Sequence, residues 1–398
     1  MAKRDLLIEV GTEEMPAQSV APAAEQLQKK LTAWLNEQRI RFDKAVWYGT
    51  PRRLTVVVYG VAEQQETLSE HLRGPAKRIA VDEKGEWTKA ALGFARGQGV
   101  ATEDLFFQEH KGEAYVFARK EQKGQATCRL LERELENLIT SLTFSKTMRW
   151  GAHALRYVRP IRWLVTLFGA EVIPVNIAGV QSGNITHGHR FLGAELVLDH
   201  AADYVETLRR GFVIVDPKER KRRVREQLEH LAQENGWDIP VEPGLLEEVT
   251  YLVEYPTIVS GSFDPSFLEV PENVLVTSMR EHQRYFPVKS REGKLLPYFV
   301  TVRNGDDTSL DKVAKGNEKV LRARLADARF FYQEDQKRPL SFFNEKLEHV
   351  VFQEELGTIA DKVRRIKVVS AKLADWLGYD QQTRREVVRT AELCKFDL

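Results

Sequence analysis

The stretch from Asn137 to Ala194 is rich in cationic side chains, and Glu171 is its only acidic residue. A protein surface normally mixes both signs of charge. A long stretch of one sign therefore indicates either an anionic partner, such as the phosphates of a nucleic acid, or an acidic neighbour packed from elsewhere in the fold. Its basic and titratable residues are Lys146, Arg149, Arg156, Arg159, Arg162 and Arg190, with His153, His187 and His189.

Aromatic residues are interleaved with these cations, at Trp150, Tyr157, Trp163 and Phe191. This mixture is typical of surfaces on which bases or ribose stack beside phosphate contacts. The alternative is that the rings belong to the hydrophobic core, and for Trp163 we favour that interpretation.

Two further clusters offer similar chemistry. The segment MREHQRYFPV carries Arg280, His282 and Arg284 beside two aromatic residues. On a predicted helix, apolar residues follow one face and four cations recur at helical spacing on another. Such a charged face either meets an anion or is simply solvated. The four cations are Lys315, Lys319, Arg322 and Arg329.

His187 and His189 are spaced to point to one side of a strand, as two metal ligands would. Neither a carboxylate nor a third histidine stands nearby in sequence, so we favour solvent- or phosphate-facing histidines and predict no metal site. The chain also lacks a dinucleotide fingerprint, a phosphate loop, an HExxH helix and a GxSxG elbow. We therefore predict no catalytic residue.

A scaffold of strands and helices must position these residues. Between the sheet strands in sequence, helical spacing and a further strand pattern predict an inserted module. Runs of apolar and β-branched residues predict strands that share one mixed sheet. The sheet strands are predicted at Asp5–Val10, Arg53–Gly60, Trp163–Phe168 and Ala170–Val180. The other elements are helices at Pro22–Glu37, Lys89–Gly97 and Thr127–Leu142 and a strand at Tyr115–Lys120.

The second half of the chain changes towards helix. Asp216 and Pro217 predict the N-cap and first position of a helix that ends before Gly236. Helical spacing dominates from about residue 313, after strands at Tyr251–Ser260 and Tyr298–Val302. A polar, proline-containing stretch at Gln333–Leu340 predicts a domain boundary.

The expected fold class is α+β. It has a mixed β-sheet N-terminal region with an inserted helix and hairpin module, followed by a mostly helical C-terminal region. The 398 residues exceed what a single core usually holds, and the net charge of +1 means that any attraction to an anion must be local. Two cysteines and no signal or membrane-spanning run predict a cytoplasmic protein.

Several long strings of distinctive sequence are spread over nearly the whole chain. They are LLIEVGTEEMPA, GTPRRLTV, TKAALGFARGQGV, RWGAHALRYVRPIRWLVTLFG, SGNITHGHRFLG, VEYPTIVSGSFDPSFLEVP, SMREHQRYFPV and AKGNEKVLRARLADARFFYQED. Such strings are far more specific than a short motif. They resemble the β subunit of the bacterial two-subunit glycyl-tRNA synthetase.

The resemblance implies an α2β2 heterotetramer that joins glycine to its tRNA, with a second β subunit in the assembly. ATP and Mg²⁺ would bind at the α subunit, which carries the class II catalytic site, and no cofactor is predicted on this chain. The β subunit would bind tRNA(Gly) and hold the complex together. An alternative is a hydrolytic editing domain acting on mischarged tRNA with His187, His189 or Glu281. Because glycine is the smallest amino acid, a glycine site already excludes larger amino acids by size, which favours the tRNA-binding role over editing.

The resemblance also implies a domain plan. Family members continue beyond Leu398, so we expect a truncated chain or fragment without the anticodon-binding domain. The expected parts are a core similar to the editing domain of phenylalanyl-tRNA synthetase (1–70 and 149–310), an inserted helix and hairpin module (71–148), a basic helical connector (311–335) and the truncated start of a helical phosphohydrolase-like domain (336–398). The predicted tRNA contacts are Arg149, Arg159, Arg162, His187, His189, Arg190, Arg280, His282, Arg284, Lys315, Lys319, Arg322 and Arg329.

Overall fold

The computed structural model describes residues 2–82, 85–110 and 112–398. It contains two compact units. The first comprises the described residues up to Ser260 together with Val300–Leu310, and the second comprises Gly261–Phe299 and Asp311–Leu398. Within the described residues, no helix combines the length and the apolar character that crossing a membrane requires.

Strands and helices alternate in the first half of the chain, and helices dominate the last quarter, which confirms the α+β class. The strands are β1 (Lys3–Thr12), β2 (Lys44–Thr50), β3 (Arg53–Ala62), β4 (Leu68–Ala76), β5 (Leu105–His110), β6 (Glu113–Gln122), β7 (Ile161–Phe168), β8 (Glu171–Val172), β9 (Asn176–Ile177), β10 (Val180–Gly183), β11 (Ile185–His187), β12 (Glu195–Val197), β13 (Pro256–Ser262), β14 (Phe286–Lys289), β15 (Leu295–Asn304), β16 (Val351–Gln353) and β17 (Gly357–Thr358). The helices are α1 (Ala17–Glu37), α2 (Lys77–Ala80), α3 (Lys89–Gln98), α4 (Thr127–Thr140), α5 (Tyr204–Arg210), α6 (Pro217–Asn235), α7 (Pro243–Thr250), α8 (Glu272–Thr277), α9 (Leu310–Gln336), α10 (Leu340–Lys346), α11 (Ile359–Trp376) and α12 (Gln381–Leu393).

The main sheet of the first unit has the order β2-β3-β1-β7-β10-β9, with β8 paired to β7. Its pairs are antiparallel except for β10, which runs parallel to β7, so the predicted mixed sheet is confirmed. Side chains alternate between its faces. Leu6 and Ile8 of β1 pack with α1 and α4, whereas Leu7 packs with α5 on the other side.

The residues between β3 and α4 form a separate antiparallel sheet with the order β4-β6-β5. Helices α2 and α3 pack on it through Ala80, Ala91 and Ala95. The helix predicted at Lys89–Gly97 and the strand predicted at Tyr115–Lys120 are both confirmed.

The strand predicted at Ala170–Val180 is wrong. Backbone with positive φ at Gly169, Ala178 and Gly179 reverses the chain on either side of this segment and leaves only the short strands β8 and β9. The content of β-branched residues does not predict such reversals, because it carries no information about turns. The strand predicted from Tyr251 begins only at Pro256, because α7 ends at Thr250 and the chain turns at Tyr251 and Leu252 before it becomes extended.

The second unit has its own apolar core. Leu321 and Leu325 of α9 are buried there with Phe267, Leu275 and Phe299, which confirms the predicted packing face of this helix. Helix α9 ends at Gln336 and α10 begins at Leu340, so the polar stretch does interrupt the helical pattern.

Helix α6 begins and ends as predicted. The Asp216 side chain accepts a hydrogen bond from the Lys218 backbone N–H at 2.8 Å, and Pro217 occupies the first helical position. Gly236 follows the last turn in the left-handed conformation, with φ of 67°. Both ends therefore satisfy backbone groups that the helix itself leaves unpaired.

We expect Asp216→Ala to lower the free energy of unfolding by about 1 kcal/mol, because alanine cannot accept the capping hydrogen bond. Asp216→Asn keeps a side-chain oxygen and should retain most of that stability. Urea unfolding of the two variants checks this, and equal stability of Asp216→Ala and the parent chain would contradict the capping role.

Candidate nucleic-acid interface

Two buried charges lie at the centre of the first unit. Arg53 and Glu254 are at most 1% exposed, and Arg53 Nη1 donates to Glu254 Oε1 at 2.5 Å. Arg52 Nη2 donates to Glu254 Oε2 at 2.8 Å, and the Thr50 hydroxyl donates to Oε1 at 2.9 Å. Both carboxylate oxygens are satisfied, as the burial of a charge requires.

These partners determine the protonation state of Glu254. Burial on its own would raise the pKa of the carboxyl group, but the charges of Arg53 and Arg52, with hydrogen bonds from Arg52 and Thr50, hold that pKa below its ordinary value. Glu254 is therefore ionised at neutral pH and forms true ion pairs with the two arginines.

Glu9, in β1, is a second buried carboxylate. Its Oε1 accepts hydrogen bonds from the Thr186 hydroxyl at 2.6 Å and from Trp163 Nε1, and its Oε2 accepts one from the Tyr204 hydroxyl. Arg53 Nε lies 3.7 Å from Glu9 Oε2. We call Glu9, Arg52, Arg53 and Glu254 the buried ion network.

The buried ion network holds the backbone that leads to Arg190. Arg53 Nη2 donates to the His187 carbonyl oxygen, and Arg52 Nη2 donates to that of Gly188, each at 2.7 Å. The loop that follows His187 is therefore attached to the core by charged donors.

His189 does not face solvent, which corrects the expectation for this residue. It is 1% exposed, and its Nδ1 accepts from the backbone N–H groups of Phe191 and Leu192, both at 3.3 Å. Burial lowers the pKa of the imidazole. His187 is half-buried, and its ring meets the Trp163 ring edge to face, with centroids 4.7 Å apart.

The aromatic residues of the acid-poor stretch divide between core and surface. Tyr157 and Trp163 are buried, which confirms the core interpretation of Trp163. A Cβ atom on Gly11 would lie 1.9 Å from the Trp163 ring, so only glycine lets this ring pack against β1. Trp150 is half-buried, whereas Phe191 is 84% exposed beside Arg190.

Three of the predicted phosphate contacts meet the segment that follows β1. Arg162 Nε lies 2.7 Å from Glu13, and Arg190 lies 3.1 Å from Glu13 and 3.4 Å from Glu14. Arg159 Nε donates to the Glu14 carbonyl oxygen at 3.0 Å. The hydrogen bond from Arg162 lowers the pKa of Glu13. For Arg162 and Arg190, a packed acidic neighbour, which is one of the two alternatives given by the sequence, is therefore present, whereas Arg159 contacts a backbone carbonyl oxygen.

The loop between α4 and β7 carries cations of a different kind. Lys146 and Arg149 are exposed, and neither forms an ion pair within the residues that the structure describes. Arg156 donates from Nε to the Thr147 hydroxyl at 3.2 Å. Lys146 and Arg149 are therefore open to an external anion.

In the second unit, the predicted cluster around Arg280 lies on a π-helical segment, Ser278–Gln283. His282 is exposed, and Arg280 is half-buried. Arg284 adopts positive φ, 59°, and its Nη1 donates to the Glu281 carbonyl oxygen. This turn thus uses Arg284 to complete its own backbone hydrogen bonding.

On α9, the four predicted cations differ in their surroundings. Lys315, Lys319 and Arg322 are exposed, unlike the buried Leu321 and Leu325 of the same helix. The Arg329 guanidinium lies over the Phe267 ring, 4.5 Å from its centroid, and is half-buried. Across the described residues, no three His, Cys, Asp or Glu side chains are grouped as ligands for a metal ion.

The family model described as the glycyl-tRNA synthetase beta subunit matches residues 6–398. The chain belongs to this glycyl-tRNA synthetase beta subunit family. The family supports the ligase-subunit function that we expect and does not support the editing alternative.

Curated relatives in the family carry the same description. The glycine–tRNA ligase beta subunit of Halalkalibacterium halodurans is 54% identical over 398 residues, which is 100% of this chain and 57% of that relative. The corresponding subunit of Bacillus subtilis is also 54% identical, with 58% of its length covered. The chain therefore spans less than three fifths of the length of these relatives.

The sequence pattern does not single out Glu9, Glu13 or Glu254, although each of them contacts an arginine of the first unit. One signal in the sequence does point to Glu9, because a carboxylate inside the apolar run DLLIEV must be either paired or at an edge. Glu13 and Glu254 reach their arginines only through the tertiary fold, across 149 and 201 residues respectively.

We expect Glu254→Ala to lower the free energy of unfolding by about 3–5 kcal/mol, because it leaves Arg52 and Arg53 buried without their counter-charge. Glu229→Ala, at an exposed position on α6, is the matched control and should change stability by less than about 0.5 kcal/mol. Chemical unfolding at neutral pH gives both values, and equal effects would contradict the role of the buried ion network.

The pH dependence gives an independent readout. Since the pKa of Glu254 is lower in the folded chain than its ordinary value of 4.5, the carboxylate contributes stability above that pH and loses it as the pH falls. Glu254→Ala should flatten the acid limb of the stability curve, whereas Glu229→Ala should leave it unchanged.

Proposed function

We propose that this chain is the tRNA-binding and assembly part of a glycine–tRNA ligase and acts in the cytoplasm. It would bind tRNA(Gly) and an α subunit, within an α2β2 assembly that includes a second β subunit. Glycine activation would take place in the α subunit, with ATP and Mg²⁺ bound there. The relatives are beta subunits, which supports an α partner.

Lys146 and Arg149 carry this proposal. Their loop presents two exposed cations without a carboxylate partner in the described part of the chain, next to the half-buried Trp150 ring. Neither side chain makes a hydrogen bond within that part that would explain it as a support of the fold. Charged groups of this kind contribute binding energy by neutralising phosphates and releasing their counterions.

The arginines beside Glu13 can join the same surface. Ion pairs between exposed side chains stabilise a fold by only about 0–1 kcal/mol. Arg162 and Arg190 are 59% and 44% exposed, so a phosphate can take the place of Glu13 at little cost. The carboxylate then acts to hold both guanidinium groups in position before the nucleic acid arrives.

On α9, the exposed Lys315, Lys319 and Arg322 form a second basic face that can contact the backbone of a nucleic acid. Arg329 is the weaker candidate of the four, because it already stacks over Phe267. The π-helical segment adds His282, which is exposed.

We expect Arg149→Ala to weaken tRNA(Gly) binding and to lower the slope of log affinity against log salt by about 0.7–0.9, the value for one lost phosphate contact. Lys29→Ala removes a cation of α1 that is also exposed and is the matched control. The measurement is filter binding across a salt series, with the chain in complex with the α subunit. Affinity for unrelated tRNAs should fall equally, since backbone contacts read no sequence.

This proposal is contradicted if Arg149→Ala and Lys146→Ala leave both the tRNA(Gly) affinity and its salt slope at the parent values but weaken association with the α subunit. The loop would then be an assembly surface.

A further inference from the structure

The sheet formed by β4, β6 and β5 has two different faces. On one face, Leu105, Val116 and Ala118 pack against α2 and α3. Residues that pair directly across antiparallel strands point to the same side, and neighbours along a strand point to opposite sides. The side chains that alternate with this packed set therefore lie on the second face of the sheet.

The second face carries rings and guanidinium groups at its centre. Phe117 of β6 pairs with Arg73 of β4 on one side and with Phe106 of β5 on the other. The Phe106 and Phe117 rings are stacked, with centroids 6.0 Å apart. The His71 ring meets Phe106 edge to face at 5.0 Å, and the Arg73 guanidinium lies 5.2 Å from the Tyr115 ring. These contacts place all five side chains on one surface.

These side chains differ in accessibility. His71, Arg73 and Arg119 are exposed, and Phe106 and Tyr115 are half-buried. Phe117 is only 8% exposed and forms the floor on which the Phe106 ring is stacked. The face thus offers partly open aromatic rings between two exposed guanidinium groups.

The charges on this face favour an anion at its centre. Its carboxylates, Glu113 and Glu121, lie towards the two ends of β6, and Arg119 lies between them. Glu113 is already engaged, because it accepts a hydrogen bond from the Tyr115 hydroxyl at 3.1 Å and pairs with Arg78 at 3.2 Å. The central part retains Arg73 and Arg119 beside the rings.

We propose that this face binds a single-stranded segment of RNA. Nucleobases would stack on Phe106, His71 and Tyr115, while Arg73 and Arg119 would contact the intervening phosphates. Only unpaired bases expose the flat surfaces that such rings contact, whereas a duplex hides them. This surface is separate from the basic loop described above, and the inference rests on the proposed function only in the choice of RNA as the ligand.

The test is fluorescence anisotropy of a labelled single-stranded RNA mixed with the complete chain. The RNA has about a dozen nucleotides, which is within the length that one such platform spans. Arg119→Ala should weaken binding and lower the salt slope by about 0.7, the value for one phosphate of a single strand. Lys120→Ala is the matched control, because Lys120 is the next residue on β6, is also exposed and points to the opposite face. Phe106→Ala should weaken binding by about five- to a hundredfold through lost stacking.

The expected competitor pattern is that unlabelled single strands displace the probe and a duplex of the same length does not. Absence of binding, or equal effects of Arg119→Ala and Lys120→Ala, would overturn the inference. If Phe106→Ala fails to fold by circular dichroism, the comparison of Arg119→Ala with Lys120→Ala decides. If the parent chain does not bind the single strand but binds tRNA(Gly) with an Arg149-dependent salt slope, only this inference fails and the proposed function stands.

Discussion

Arg53 and Glu254 are buried as ions, and a buried ion without its partner costs several kcal/mol. That cost constrains the rest of the first unit, because the partners come from distant parts of the chain. Arg53 joins β3 to Glu9 of β1, to Glu254 before β13 and to the His187 carbonyl oxygen at the end of β11. A shift of any of these segments would break an ion pair or a charged hydrogen bond of Arg53. The buried ion network therefore keeps the main sheet and the loop after His187 in one arrangement.

The exposed cations depend on this arrangement. Glu13 follows β1 directly, and Arg190 follows the backbone that Arg52 and Arg53 hold, so their ion pair inherits its geometry from the core. An exposed pair is weak enough to exchange its carboxylate for a phosphate. The first unit thus combines buried charges that fix the backbone with surface charges that remain available to an anion. Lys146 and Arg149 need no exchange, since they form no ion pair among the described residues.

Much of this fold follows from local patterns. Strands β1, β3 and β7 and helix α6 were predictable because apolar periodicity and capping residues act within a few positions. The concentration of cations was predictable from the stretch between Asn137 and Ala194, in which Glu171 is the only acidic residue. The pairing of Arg162 with Glu13 and the burial of His189 were not predictable from the sequence, because both arise from segments that meet only in the tertiary structure. The predicted domain boundaries and tRNA contacts stay predictions.

The central claim is that the acid-poor surface of the first unit contacts tRNA. Photo-crosslinking of 4-thiouridine-substituted tRNA(Gly) to the chain in complex with the α subunit, followed by mass spectrometry of the peptides, tests it most directly. We expect crosslinked peptides from the loop between α4 and β7, which carries Lys146 and Arg149, and from the loop that carries Arg190 and the exposed Phe191. Efficient crosslinking that reaches other parts of the complex but neither loop would contradict the claim.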